Sequence, residues 1–140
     1  MKTAIYMSVN TWADYKSEPI LLSEQTRLCR DYMKNQSELK KVGTYTDRNS
    51  TRDRIRELEL LLKELENRRV ECIVTSTVQS LFEYSSEASY YIRQVLVPSG
   101  ARLIGIVDNF DTDMENWEEL LKSVLRKGRV GKGGKGKQKN

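Results

Sequence analysis

Apolar positions along this chain recur with two spacings. One is the alternation of a β-strand and the other is the three-and-four spacing of a helix. Thr3–Val9 reads as a strand. Residues 21–36 set Leu21, Leu28, Cys29, Tyr32 and Met33 on one helical face, with Ser23 near the start. Lys41–Thr46 is a second, weaker strand. Ser50 or Thr51 is placed to cap a helix over 52–67, whose stripe is Ile55, Leu58, Leu61, Leu62 and Leu65. Val70–Ser76 is apolar enough to be a central strand of a parallel sheet. A helix from about Gln79 to Val97 follows, stopped by Pro98-Ser99-Gly100. Arg102–Val107 is a fourth strand. Thr112-Asp113-Met114-Glu115 has the form of a capping box, opening a helix with Trp117, Leu120, Leu121, Val124 and Leu125.

Strand and helix alternate four times, which predicts an α/β fold. It is a single three-layer domain, a mainly parallel sheet flanked by helices on both faces. The buried strand residues expected are Ile5, Val9, Ile73, Val74, Leu103, Ile104 and Ile106. After Leu125 glycines interleave with lysines and only Val130 offers an apolar side chain. Such a segment buries too little to order itself. The expected division is an α/β domain over 1–112, a C-terminal helix over 113–127 and a flexible Gly/Lys tail over 128–140.

A length of 140 residues suits one domain with a real core. Net charge is +4, but Arg126, Lys127, Arg129, Lys132, Lys135, Lys137 and Lys139 supply seven positive charges with no acid among them, leaving 1–125 at −3. Lysines spaced by glycine suit loose, sequence-independent contact with phosphates. Histidine is absent, which removes the commonest general base and metal ligand. The two cysteines, Cys29 and Cys72, sit among apolar neighbours and read as buried reduced thiols. No metal and no cofactor is expected. No apolar run approaches the ~20 residues of a membrane span, and the first residues lack a secretory pattern, so a cytoplasmic location is expected.

Four segments then stand in a telling order: Tyr6-Met7-Ser8-Val9-Asn10, Leu22-Ser23-Glu24-Gln25, Tyr45-Thr46-Asp47, and the strand into Val78-Gln79-Ser80-Leu81-Phe82-Glu83. Together they resemble the catalytic domain of the serine recombinases, the resolvase/invertase family, over about residues 3–112. That family writes the first segment Tyr-x-Arg-x-Ser and ends the last in Asp-Arg-Leu-x-Arg. It cuts DNA by attack of a serine hydroxyl on a backbone phosphate, inside a cluster of arginines. The resemblance puts Asn10 at the nucleophile, Ser8 at an active-site arginine, Gln79 at the aspartate, and Ser80 and Glu83 at two further arginines. An amide cannot attack a phosphate. The net charge at the three arginine positions together changes by −4, Glu83 adding a negative charge of its own, where a phosphate gathering charge needs preorganised cations. Another family arginine lies near the start of the second helix, where Arg52, Arg54 and Arg56 all stand; the spacing does not choose among them. Ser8 shares its strand face with position 10, yet no base in the motif segments is there to activate it.

The resemblance implies a resolvase-like fold without the reaction. It leaves an accessory or regulatory relative that meets DNA through the basic tail, or an intact recombinase through shared oligomer surfaces. The partners expected are DNA bound without sequence preference and a homodimer or hetero-oligomer. The alternatives are an active recombinase using other residues and a protein-interaction domain unrelated to DNA. Tyr84, Tyr90 and Tyr91 read as packing residues. The stripe Trp117, Leu120, Leu121 and Val124 suits either docking on the chain's own sheet or dimer formation.

Overall fold

The computed structural model describes residues 1–9, 18–48, 57–78, 81 and 85–133, with the backbone alone at 9, 18–21, 48, 85 and 126–133. Among the described residues the domain has five strands and four α-helices: β1 (Lys2–Val9), α1 (Glu18–Lys34), β2 (Lys40–Arg48), α2 (Glu57–Glu66), β3 (Cys72–Thr75), α3 (Ser85–Tyr91), β4 (Arg102–Gly105), β5 (Phe110–Asp111) and α4 (Trp117–Gly133). The sheet order is β2-β1-β3-β4-β5. β1 pairs in parallel with β2 and β3, β3 in parallel with β4, and β5 antiparallel to β4.

Alternation along each strand sorts the core into two layers. Ala4, Tyr6, Ile73, Leu103 and Phe110 face one side, where α2 supplies Leu58, Leu61 and Leu65, the segment 88–96 supplies Ala88, Ile92 and Leu96, and α4 supplies Leu121 and Leu125. Ile5, Met7, Cys72, Val74 and Ile104 face the other side, covered by Leu22 and Cys29 of α1 and by Leu39. Strands buried on both faces read as continuous apolar runs, which is why β3 was legible as central. Of the expected strand core, Ile5, Ile73, Val74, Leu103 and Ile104 are buried. Ile106 is partly buried against the α1 layer, and the side chain of Val9 lies outside the described residues. Beyond Gly105, Ile106 and Val107 still donate backbone hydrogen bonds to Thr75 and Ser76 at 3.0 and 2.8 Å, so the pairing outlasts the strand.

Three expectations change. The Thr112–Glu115 segment does not cap a helix. Leu103 donates its N–H to Thr112 Oγ1 at 3.0 Å, and Thr112 N–H donates to the Leu103 carbonyl at 3.1 Å. Pairing with β4 therefore claims the hydroxyl that would have capped, and α4 opens later, at Trp117. The short strand β5 belongs to the same pairing and is too brief for a periodicity to reveal. The third expected helix is not uniform. Leu81 lies in a turn, its N–H donating to the Val78 carbonyl at 3.1 Å, and α3 passes into a π-helical turn over Ile92–Leu96. There Val97 N–H reaches the Ile92 carbonyl at 3.0 Å, the wider spacing that marks this form.

At the C-terminus the backbone of α4 continues through Gly133, past residue 127 where the apolar pattern ends. Leu121 and Leu125 are buried in the core while Trp117, Leu120 and Val124 are partly buried against it, so this stripe docks on the chain's own sheet. Tyr91 packs against the same core. Tyr90 is 65% exposed, and Tyr84 lies outside the described residues. No described helix is long and apolar enough to cross a membrane.

Candidate functional site

In a sheet of parallel strands the C-terminal ends open into a crevice where the strand order reverses. Here β1 is followed by β2 on one side and, after a return, by β3 on the other. The reversal therefore falls between β1 and β3. The crevice begins at Ser8 and Val9 on one strand and at Thr75 and the residues after it on the other.

Two sets of bonds shape this edge. On the α2 side, the Tyr6 hydroxyl donates to Asp47 Oδ2 at 2.7 Å. The same carboxylate accepts the backbone N–H groups of Glu57 at 2.7 Å and Leu58 at 3.1 Å. Asp47 thus satisfies the first donors of α2 and complements the positive end of its dipole. Parallel register sets Asp47 beside Ser8 and Tyr45 beside Tyr6. On the α1 side, the Gln25 amide clamps the backbone of Ser8: Ser8 N–H donates to Gln25 Oε1 at 3.3 Å, and Gln25 Nε2 donates to the Ser8 carbonyl at 2.9 Å. Thr26 reinforces the approach, its hydroxyl donating to the Leu22 carbonyl at 2.8 Å with Met7 Sδ at 3.3 Å. The end of β1 is gripped from both faces of the sheet.

A further group at this edge escaped the sequence reading. Asp108, in the loop after β4, accepts the N–H of Val78 at 2.7 Å and so fixes the start of the 78–84 segment. The approach is close: a Cβ on Gly105 would lie 3.0 Å from Val78 Cγ2 and 3.2 Å from Asp108 Oδ2. Asp108 follows an apolar run as any surface turn residue does, and no local pattern marks it as reaching a neighbouring strand. The described side chains bonded at this edge, Tyr6, Gln25, Asp47 and Asp108, include two carboxylates.

Ser8 itself is 6% exposed. Asn10, Gln79, Ser80 and Glu83 lie outside the described residues, as do Arg52, Arg54 and Arg56. Val78, which immediately precedes Gln79, is buried beside the crevice. Of the basic C-terminal set, Arg126, Lys127, Arg129 and Lys132 fall within the backbone of α4, and Lys135, Lys137 and Lys139 lie outside the described residues.

Away from the crevice, both cysteines are unbonded to each other and buried. Burial pushes the Cys29 thiol up to about 11 and the Cys72 thiol up to about 12, which makes both poor nucleophiles. Arg102, at the opposite end of the sheet, grips Asp111 through Nε at 3.0 Å and Nη2 at 2.7 Å. Asp113 and Glu38 stand at 3.3 and 3.7 Å from the same guanidinium. The Asp111 hydrogen bonds hold that guanidinium more firmly charged than usual. This cluster ties β4, β5 and the turn before β2 together. Among the described residues no group of histidines, cysteines and carboxylates is placed to hold a metal ion.

No protein-family model and no curated protein matches the sequence. Solved structures do match. The N-terminal catalytic domain of TP901-1 integrase is similar with a TM-score of 0.70 at 17% identity, over 94% of this chain and 96% of that one. A resolvase family site-specific recombinase from Streptococcus pneumoniae gives 0.69 at 15% identity, over 94% and 89%. The C-terminal catalytic domain of ISC1926 TnpA, an IS607-like serine recombinase, gives 0.57 at 19% identity, over 96% and 85%. The strand order, the two-sided burial and these likenesses agree: this chain has the fold of a serine-recombinase catalytic domain.

Proposed function

We propose that this protein is a catalytically degenerate relative of the serine recombinases, acting in the cytoplasm as an accessory or regulatory partner of DNA or of an intact recombinase. The observation that carries this reading is the mismatch at the end of β1. The supporting bonds are formed, with Asp47 on α2 and Tyr6 and Gln25 on Ser8. Yet Ser8 stands where the resemblance requires a guanidinium, and Asn10 where it requires a hydroxyl. Phosphoryl chemistry rests on cations fixed around the developing charge. A nucleophile restored alone would still face an uncompensated phosphate.

The affinity for DNA is assigned to the basic C-terminal segment, since the rest of the chain is net negative. Each phosphate neutralised releases condensed counterions. Seven cations therefore give a slope of log affinity against log salt no steeper than about −6, at ~0.9 per contact.

The test has two arms. Incubation with supercoiled plasmid is expected to yield no covalent protein–DNA link, from the native chain or from Asn10→Ser. Cleavage by the native chain that disappears in Ser8→Ala would assign the chemistry to Ser8 and overturn the reading. In the second arm, truncation after Leu125 removes most binding to random duplex across a salt series and leaves the fold in place. Equal affinity of the two forms would move the DNA surface onto the domain. Absence of binding by either would favour a protein-interaction role.

A further inference from the structure

The cations of the folded body are not evenly spread. At the N-terminal end of the sheet, parallel register sets Lys2 beside Lys40 and Thr3 beside Lys41. Lys2 Nζ donates to the Arg68 carbonyl at 3.0 Å, which brings the turn after α2 to the same edge. Lys2, Lys40, Lys41 and Arg68 are all exposed. None of the four makes an ion pair with a described residue. The neighbouring acids are engaged. Glu71 Oε1 accepts the main-chain N–H of Lys2 at 2.7 Å, and Glu64 pairs with Arg69 at 3.2 Å. The Tyr91 hydroxyl, pushed up first by burial, is pushed further by Glu66, which places that acid toward α3.

The backbone supplies a second observation. Arg68 has a φ of 61°. It is the left-handed residue that closes α2: its N–H donates to the Leu65 carbonyl at 3.1 Å, and the Arg69 N–H donates to the Glu64 carbonyl at 2.9 Å. Glycine or asparagine usually takes this place, because a larger side chain is strained there. Asn67 stands one residue too early to do so. Strain kept at an exposed residue points to a use for its side chain. Offsetting the negative ends of helices is not that use, since Lys34 and Lys63 already stand in the last turns of α1 and α2.

We propose that this edge is a second surface for duplex DNA, so that one chain bridges two duplexes. Lys2, Lys40, Lys41 and Arg68 contact the phosphates of the second duplex and read no bases. The length of β1 sets the edge about 20 Å from the crevice, at roughly 3.3 Å per residue. It is also the end at which α4 begins: Asp113, shortly before that helix, lies 3.3 Å from Arg102 at the start of β4. From there α4 leads away across the core through Leu121 and Leu125. The basic C-terminal segment and this edge therefore serve opposite ends of the domain. Bridging rests on the reading that the C-terminal segment holds the first duplex. Four contacts give capture of the second a salt slope no steeper than about −4, at ~0.9 per contact.

The test uses the full-length chain and two random duplexes, one fixed to beads and one labelled in solution. Affinity for a single duplex is measured beside it. The native chain carries the labelled duplex onto the beads, and rising salt abolishes capture. Lys40→Glu with Lys41→Glu lowers capture about tenfold and changes single-duplex affinity less than twofold. Arg68→Gly also lowers capture while raising Tm, because it relieves the left-handed residue; a folding defect would lower both. A chain that binds one duplex but captures no second, or capture indifferent to both variants, would overturn bridging and leave the first duplex in place. A chain that binds no duplex would overturn both readings.

Discussion

Replacing Asp47 by alanine removes the acceptor of three hydrogen bonds that meet at one carboxylate. Its carboxylate takes the Tyr6 hydroxyl at 2.7 Å and the N–H groups of Glu57 and Leu58 at 2.7 and 3.1 Å. Loss of a helix cap costs ~0.5–2 kcal/mol. Taking the carboxylate from the hydroxyl of Tyr6, which is 0% exposed, adds ~1–3 kcal/mol. The sum is about 3 kcal/mol, a large share of the ~5–15 kcal/mol that holds a domain together. For a chain of 140 residues this lowers Tm by roughly 10 °C, at about 3 °C per kcal/mol. Asp47→Asn keeps acceptor oxygen but loses the charge, and falls between the two. The cause is isolated by a double-mutant cycle: Tyr6→Phe costs less in the Asp47→Ala background than in the native one, by ~0.5–3 kcal/mol. Urea unfolding followed by circular dichroism measures all four proteins. A loss below ~1 kcal/mol for Asp47→Ala, or additive effects in the cycle, would refute the view that this carboxylate joins β1, β2 and α2.

The loop after β4 offers a steric test. Gly105→Ala sets a Cβ 3.0 Å from Val78 Cγ2, and is expected to destabilise by ~1–3 kcal/mol in thermal melts; a neutral substitution would mean that the loop relaxes freely. The thiols offer a pH test. With Cys29 near about 11 and Cys72 near about 12 against an ordinary 9.0, the unfolded chain loses these protons first, so stability falls as pH rises above about 9. Native protein is expected to resist alkylation at mildly alkaline pH and to label fully in urea; labelling of the folded chain at the rate of a free thiol would contradict the burial.

The first strand shows why so much of the architecture was legible. Ala4, Ile5, Tyr6 and Met7 are apolar on both faces, and both faces are covered. The chain pattern and the environment state the same fact. The α2 stripe of Leu58, Leu61 and Leu65 behaves likewise. The edge of the sheet was harder to read. Thr112 looked like a cap because the local spacing is that of a cap, and a partner nine residues away, Leu103, took its hydroxyl instead. The candidate site divides in the same manner. Tyr6, Ser8, Gln25 and Asp47 were visible as letters of a pattern, whereas the role of Asp108 depends on a loop thirty residues from Val78.

Sequence alone determined the layers of this protein, because burial on one or two faces is written in the spacing of apolar residues and needs no knowledge of neighbours. It also determined the residue types available at positions 8 and 10, a serine and an asparagine, since these follow from the chain itself. Only the tertiary structure decided what the remaining polar groups do. Gln25 became a clamp on Ser8, Asp47 a cap for α2 and Asp108 an acceptor for Val78 through contacts between segments far apart in sequence. A hydrogen bond is set by distance and direction within fractions of an ångström, and a one-dimensional pattern carries neither.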